Sequence, residues 1–455
     1  MKKSKIIVAL LLAFVMVFGI VSLTACQDDK DKPLELVLWV PSGATTFYKN
    51  WANNWANGYT DADGVVHEPY TDAEGNRYKV IVTNQEESDV KTPVTSAPAD
   101  AADVFCFIDD QLADLVSAGV LASLGTGTYA QEIAARNSES SVNSASYERK
   151  LADGTRDEKQ MYAYPMQADN TYYLYYNSKY LDDDDVTTWE KLFAKLDQLN
   201  TGKQGTARRK LAFDYDNSWY GASWFFSFDG EFDVNAGTSN FYTEEVGAKA
   251  LKAAFQFSQH HANIAFQGPD DAKEALRDED GNVIACVAGG WIYASPDEDT
   301  PTGVDQNPYI KLTILPTFNF EGRDVRMKAF ISSKLMGVNS YSPYLSAAHA
   351  LANFLTDEEV QRDKALKLFA GPSNINAAAD PEVAELPTVK AAADQAQYAV
   401  PQLDFNYWDA IKAAVVAVRA DTTGSTYFSA DGTRTTELAG LLTKLQNDMF
   451  PPAGL

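Results

Sequence analysis

The strongest constraint on the fold is an alternation of short apolar runs with stretches of helical spacing. Leu34–Val40 is an apolar run that stops at Pro41-Ser42-Gly43, as a buried strand would. Residues 47–55 follow with apolar side chains at helical spacing, and 79–83 reads as the next strand. Between them, Asp61-Ala62-Asp63-Gly64 and Asp72-Ala73-Glu74-Gly75 are turn signals that predict a surface hairpin. A calcium loop at the first of these turns lacks its later ligands. Residues 102–110 predict a third strand entering an acidic turn, and 111–121 a helix that leaves at Gly119. Strand, helix, strand, helix is the pattern of an α/β protein.

The same grammar continues. Strands are predicted over 210–213, 284–287 and 310–315, and helices over 244–258, 346–355 and 358–368. Thr187 with Glu190 three residues on predicts a capping box opening a helix through Leu199. Residues 278–281 read as a hairpin-type turn. Most of 389–445 is predicted helical, apart from 398–406 and a turn-rich break near 422–433.

The N-terminus is of a different kind. Lys2, Lys3 and Lys5 precede an almost purely apolar stretch over 6–21, which closes on Leu23-Thr24-Ala25-Cys26. A basic start, a short apolar segment and small residues make a secretory signal. The Leu-x-Ala-Cys ending resembles a lipoprotein signal, in which the cysteine is lipidated and becomes the first mature residue. The competing reading is an uncleaved membrane anchor. We therefore expect residues 1–25 to be a signal peptide and 26–33 the lipidated Cys26 with a tether, leaving the body on the outer face of a cell membrane, held by lipid alone.

The chain has 455 residues and a formal net charge of −25. The signal segment carries three lysines and no acid, so its removal takes the charge to about −28. Such a surface repels phosphate backbones, which argues against a nucleic-acid partner. A length of this order predicts two or three domains, and 45% hydrophobic residues is ample for their cores. Besides Cys26, only Cys106 and Cys286 remain, both in apolar strand-like runs. A disulfide is permitted outside the cell, but two buried free thiols are the expectation.

Residues of catalytic type form no recognisable constellation. His67, His260, His261 and His349 sit in no zinc-type spacing, and there is neither a nucleophile elbow nor a phosphate loop. Neither metal nor cofactor is expected. The aromatic residues say more: 8 Trp, 23 Tyr and 23 Phe, several beside carboxylates or glycines at strand ends. Such places are Phe107 before Asp109 and Asp110, Trp219 and Tyr220 near Asp216, Trp291 after Gly289-Gly290, and Tyr407-Trp408-Asp409. A sugar needs an aromatic face for its C–H face and carboxylate or amide oxygens for its hydroxyls. Strand ends of α/β sheets are where ligands sit. Plain core packing is the competing reading for each ring.

Tyr164-Pro165, Leu174-Tyr175-Tyr176-Asn177-Ser178-Lys179-Tyr180-Leu181 and Thr188-Trp189-Glu190 resemble a segment of the carbohydrate-type extracellular solute-binding proteins of ABC transporters. Ala288-Gly289-Gly290-Trp291, Leu315-Pro316-Thr317-Phe318, Leu355-Thr356-Asp357-Glu358 and Val400-Pro401-Gln402 follow in that family's order, most similar to its maltose/maltodextrin branch. The resemblance implies a two-lobed, type II periplasmic-binding-protein-like α/β fold with a ligand cleft between lobes and three hinge crossings. The lobes would be 34–167 plus 332–385 and 168–331 plus 386–455. Position by position it implies that Trp291 and Trp408 stack on sugar, with Trp219 where the branch carries Tyr and Phe107 where it carries Trp. Asp110 matches a sugar-binding acid, and Asp169 lies near another with a one-residue offset. The branch's early Asp-Lys pair is missing, with Ser42-Gly43-Ala44 in its place, and Gln111 replaces an Arg.

The expectation that follows is a monomeric, non-enzymatic binder that captures an oligosaccharide, by resemblance an α-glucan, and delivers it to ABC permease subunits. Another oligosaccharide or solute is the alternative within that class. A surface glycoside hydrolase or an adhesive lipoprotein are the alternatives outside it.

Overall fold

In chain order, the strands of two main sheets are β1 (Leu34–Val40), β2 (Tyr78–Asn84), β3 (Val104–Ile108), β4 (Ala163–Thr171), β5 (Tyr173–Asn177), β6 (Lys210–Ala212), β7 (Ile264–Ala265), β8 (Val283–Ala288), β9 (Ile310–Thr313), β10 (Ala329–Val338) and β11 (Ala399–Pro401). The structure, a computed structural model, describes residues 32–149, 155–233, 236–265, 268–293, 302–402, 405–421, 425–429 and 433–451. The signal segment, Cys26 and most of the tether lie outside the described residues.

The first sheet has the order β11-β10-β3-β1-β2, with β4 along the other edge of β10. Its β1, β2 and β3 are parallel, whereas β10 runs antiparallel to β3 and β4. The second sheet has the order β7-β6-β8-β5-β9, with β6 parallel to β7 and β8. Every residue of β5 and of β8 is buried. Continuous apolar runs of that kind belong to strands covered on both faces, which is why they lack the alternation of a half-exposed strand.

Two large apolar cores correspond to the two sheets. One joins Leu36, Leu38, Phe105, Phe107 and Met166 to Leu335, Met336 and Leu351. The other joins Tyr172, Leu174, Trp189 and Trp224 to Phe330, Phe405 and Ile411. β10 therefore begins in the second core, at Ala329 and Phe330, and ends in the first, while β4 leads the opposite way towards Tyr172. The β10–β4 pairing loses register on both sides of Lys334, between the two cores.

Most predicted elements are present within a residue or two, including the hairpin of Tyr59–Thr60 with Val66–His67. Asp61 closes its turn by accepting from the Asp63 and Val65 amides at 3.1 and 2.8 Å and meets His67 at 2.9 Å. Among the described residues, no group of three or more His, Cys, Asp or Glu is placed to hold a metal ion. Cys106 and Cys286 are both buried, and they are not joined in a disulfide.

Three local readings need correction. Asp278–Gly281 is a helix-to-strand turn after Pro269–Arg277, a helix the sequence reading passed over, and is not a hairpin. β10 was also passed over, because Ser332, Ser333 and Lys334 interrupt its apolar pattern. Finally, Thr188 rather than Thr187 caps the helix Trp189–Leu199, accepting from the Lys191 amide at 3.1 Å. Glu190 does not close a capping box; it accepts from the Asn319 amide at 2.8 Å. Thr188→Ala should consequently lower stability by about 1 kcal/mol in urea unfolding, with Thr187→Ala costing less.

Candidate functional site

The site begins where β8 ends. Gly289 and Gly290 open a single turn of 3-10 helix over Gly290–Ile292. A Cβ on Gly289 would stand 2.5 Å from the Thr171 carbonyl oxygen and run into the Trp291 ring. The absence of a side chain there lets the indole fold back against the end of β4. Trp291 keeps 38% of its surface exposed. Its ring centre lies 5.7 Å from that of Trp219, with the planes at 43°.

Trp219 occupies the first turn of the helix Ser218–Phe226, whose cap Asn217 accepts from the Trp219 amide at 3.0 Å. Its ring rests edge-on against Tyr172 at 4.6 Å. The indole Nε1 donates to Gln402 Oε1 at 2.9 Å. Two half-open indoles with fixed rims form an apolar platform suited to the C–H face of a ring-shaped ligand.

From the other lobe comes Asp110, in the short turn Asp109–Gln111 that follows β3. Its Oδ1 is buried and has no hydrogen-bond partner in the protein. Burial pushes this carboxyl up to about 7, opposed by the Lys91 ammonium and by the Gln402 amide that faces it. Gln402, just after β11 and only 3% exposed, thus touches both Asp110 and Trp219. An acceptor without a partner, tied through Gln402 to an aromatic platform, supplies the two kinds of group that a polyhydroxylated ring needs.

The remaining expected residues are placed differently. Phe107 is fully buried in the first core beside Phe105, which leaves no face for a ligand, so its expected role as a stacking ring is corrected to core packing. Asp169 sits where β4 loses register; its oxygens accept from Gln167 Nε2 at 2.8 Å and the Gly371 amide at 2.6 Å. A Cβ on Gly371 would come within 2.6 Å of that carboxyl, so Asp169 serves to bind two chain segments together. Trp408 is half-buried at the start of Trp408–Ala420, packing 4.5 Å from Phe405 and 5.5 Å from Phe330. It is linked to Trp219 through Phe330, whose amide donates to Tyr172 Oη at 3.3 Å. Gln111 is consumed internally, donating to the Glu87 carbonyl at 2.7 Å and accepting from the Lys91 amide at 3.0 Å.

A buried ion pair joins Lys334 Nζ to Glu87 Oε2 at 2.5 Å. Burial alone would lower the Lys334 pKa, but the Glu87 carboxylate holds it above the ordinary lysine value. Nearby Lys364 reaches Gln167 Oε1 at 3.0 Å, and burial pushes its pKa down. Sequence reasoning missed this pair and also Gln402, which it used only as part of an ordered motif. Neither carries a spacing signature: the role of Gln402 needs β11 beside β10, and the ion pair needs β10 beside β3.

Comparison with known proteins agrees with this architecture. A solved structure containing acarbose shares 23% identity, with a TM-score of 0.72, over 92% of this chain and 98% of that one. The maltodextrin-binding protein MalE1 from L. casei BL23 shares 20%, with a TM-score of 0.68, over 92% and 99% of the two chains. The GacH receptor of Streptomyces glaucescens GLA.O, solved unliganded and with acarbose, shares 17%, with a TM-score of 0.70, over 92% and 99%. At such identities the likeness establishes the two-lobed fold. A comparison with curated protein sequences returns no match. The sequence profile of bacterial extracellular solute-binding proteins matches residues 66–391, and the chain belongs to that family.

Proposed function

We propose that the protein is a lipid-anchored binder that captures an oligosaccharide, of α-glucan type, and delivers it to an ABC importer. The observation that carries this reading is the half-open Trp219–Trp291 pair joined through Gln402 to Asp110, whose Oδ1 has no hydrogen-bond partner in the protein. Structural neighbours solved with acarbose and with maltotetraose add support for the ligand class. In this reading the lobes are 34–167 plus 332–385 and 168–331 plus 386–455. Closure would bury the stacked ring and satisfy its hydroxyls from both sides, and the ligand favours closure only by its preferential affinity for the closed form. The permease subunits would read that closed form, and the binder would work as a monomer.

Titration calorimetry of the mature chain with maltotriose tests the ligand. A heat that saturates near one sugar per chain is the expected result. A heat that persists as turnover would favour a glycosidase, and no heat would remove α-glucans. The anchor rests on the Leu23-Thr24-Ala25-Cys26 box. Cys26→Ala should move the protein from the membrane fraction to the medium without changing its affinity. Retention in the membrane would make the leader an uncleaved anchor.

A further inference from the structure

We propose that Gln402 is a positioning residue that ties the first-lobe acid Asp110 to the second-lobe indole of Trp219, so that hydroxyl recognition and ring stacking are set as one unit. The inference rests on the carbohydrate reading of the cleft. It adds a residue that contributes through the orientation of two others.

Hydrogen-bond chemistry fixes the direction of the tie. An indole N–H can only donate, so the Gln402 side chain must present its oxygen to Trp219, as it does at 2.9 Å. Its NH₂ group then faces the Asp110 carboxyl, where a donor favours the ionised form. The backbone leaves the side chain little freedom, because the Gln402 amide donates to the Ile331 carbonyl of β10 at 2.9 Å. The residue is thus held at the place where β10 passes between cores, within reach of both lobes. With one Asp110 oxygen still lacking a protein partner, a ligand hydroxyl donating there completes the carboxylate's shell. Burial disfavours the charged carboxyl, as Asp114 also does, while Lys91, Gln402 and the Asp110 backbone amide favour it.

The test uses Gln402→Leu, which keeps bulk and removes both polar atoms, and Gln402→Glu, which keeps the reach. In the ligand-free protein, Gln402→Leu should change the near-ultraviolet circular dichroism of the indoles. The same change made in a Trp219→Phe background should have no such effect. Maltotriose affinity should fall roughly tenfold or more, the loss of a hydrogen bond to a charged group. Gln402→Glu should bind like the parent at about pH 7, where one proton is shared between the two carboxyls, and more weakly than the parent at about pH 9, where both are ionised. Residues with a merely structural role would show no such pH-dependent rescue. An unchanged dichroism signal, or unchanged affinity in either variant at both pH values, overturns the proposal. If the parent protein binds no maltotriose, the α-glucan reading has failed, and the dichroism comparison alone decides the tie.

Discussion

Lys334→Met should lower the stability of the protein by about 3–5 kcal/mol, read as a fall in the urea midpoint. The Lys334 ammonium lies 2.5 Å from Glu87 Oε2, and the two side chains are only 15% and 6% exposed. Removing the lysine leaves a carboxylate deep in the first lobe whose other oxygen has no partner. Lys364 lies close enough to feel Glu87, but its ammonium is already placed against Gln167 and the Tyr48 ring. A second substitution separates charge from packing. If the loss comes from the stranded carboxylate, Glu87→Gln added to Lys334→Met should recover much of it. If recovery is absent, the methylene stem of Lys334 matters more than its charge. The pH dependence has a defined sign. The folded Lys334 pKa is raised, so its contribution is present in full below the ordinary lysine value and is lost as pH rises through the higher folded value.

Trp291→Ala should weaken maltotriose binding by about 1–3 kcal/mol, roughly 5- to 150-fold in affinity, by removing half of the aromatic platform. Calorimetry on a variant with parental thermal stability is the measurement. An unchanged affinity would mean that Trp291 only shields the end of β8. Phe107→Leu is the useful contrast. Because Phe107 is wholly buried in the first core, its truncation should cost stability and leave maltotriose affinity at the parental value.

The contrast between Trp291 and Phe107 shows what a sequence can reveal about a cleft. Both are aromatic residues at the end of an apolar strand, and both match stacking positions by order along the chain. What separates them is which side of a strand faces a neighbouring core. At Trp291 the glycine pair turns the indole away from the sheet, and that signal is visible in the letters. At Phe107 no such break exists before the ring, which stays with the strand's buried side. The first-lobe strands β1, β2 and β3 were legible because their runs are apolar and bounded by turn residues. β10 was not legible, because its middle is Ser332-Ser333-Lys334, whose polar groups are satisfied only by distant residues. The Ser333 amide donates to Asp109 Oδ2 at 2.9 Å, and Lys334 meets Glu87. Tertiary partners offset what local pattern would forbid.

The position of β10 also sets an order of assembly. This strand lies between β3 and β4 in the first sheet, yet more than 200 residues separate it from β3 along the chain. While the chain is being made, β3 and β4 emerge long before the strand that must join them, each with an open row of backbone donors and acceptors. Contacts of such sequence separation form late and slowly. The first lobe, though encoded first, is completed only after most of the second has been synthesised, so any factor that shields unpaired strand edges would act on the earliest-made part of the molecule for the longest time.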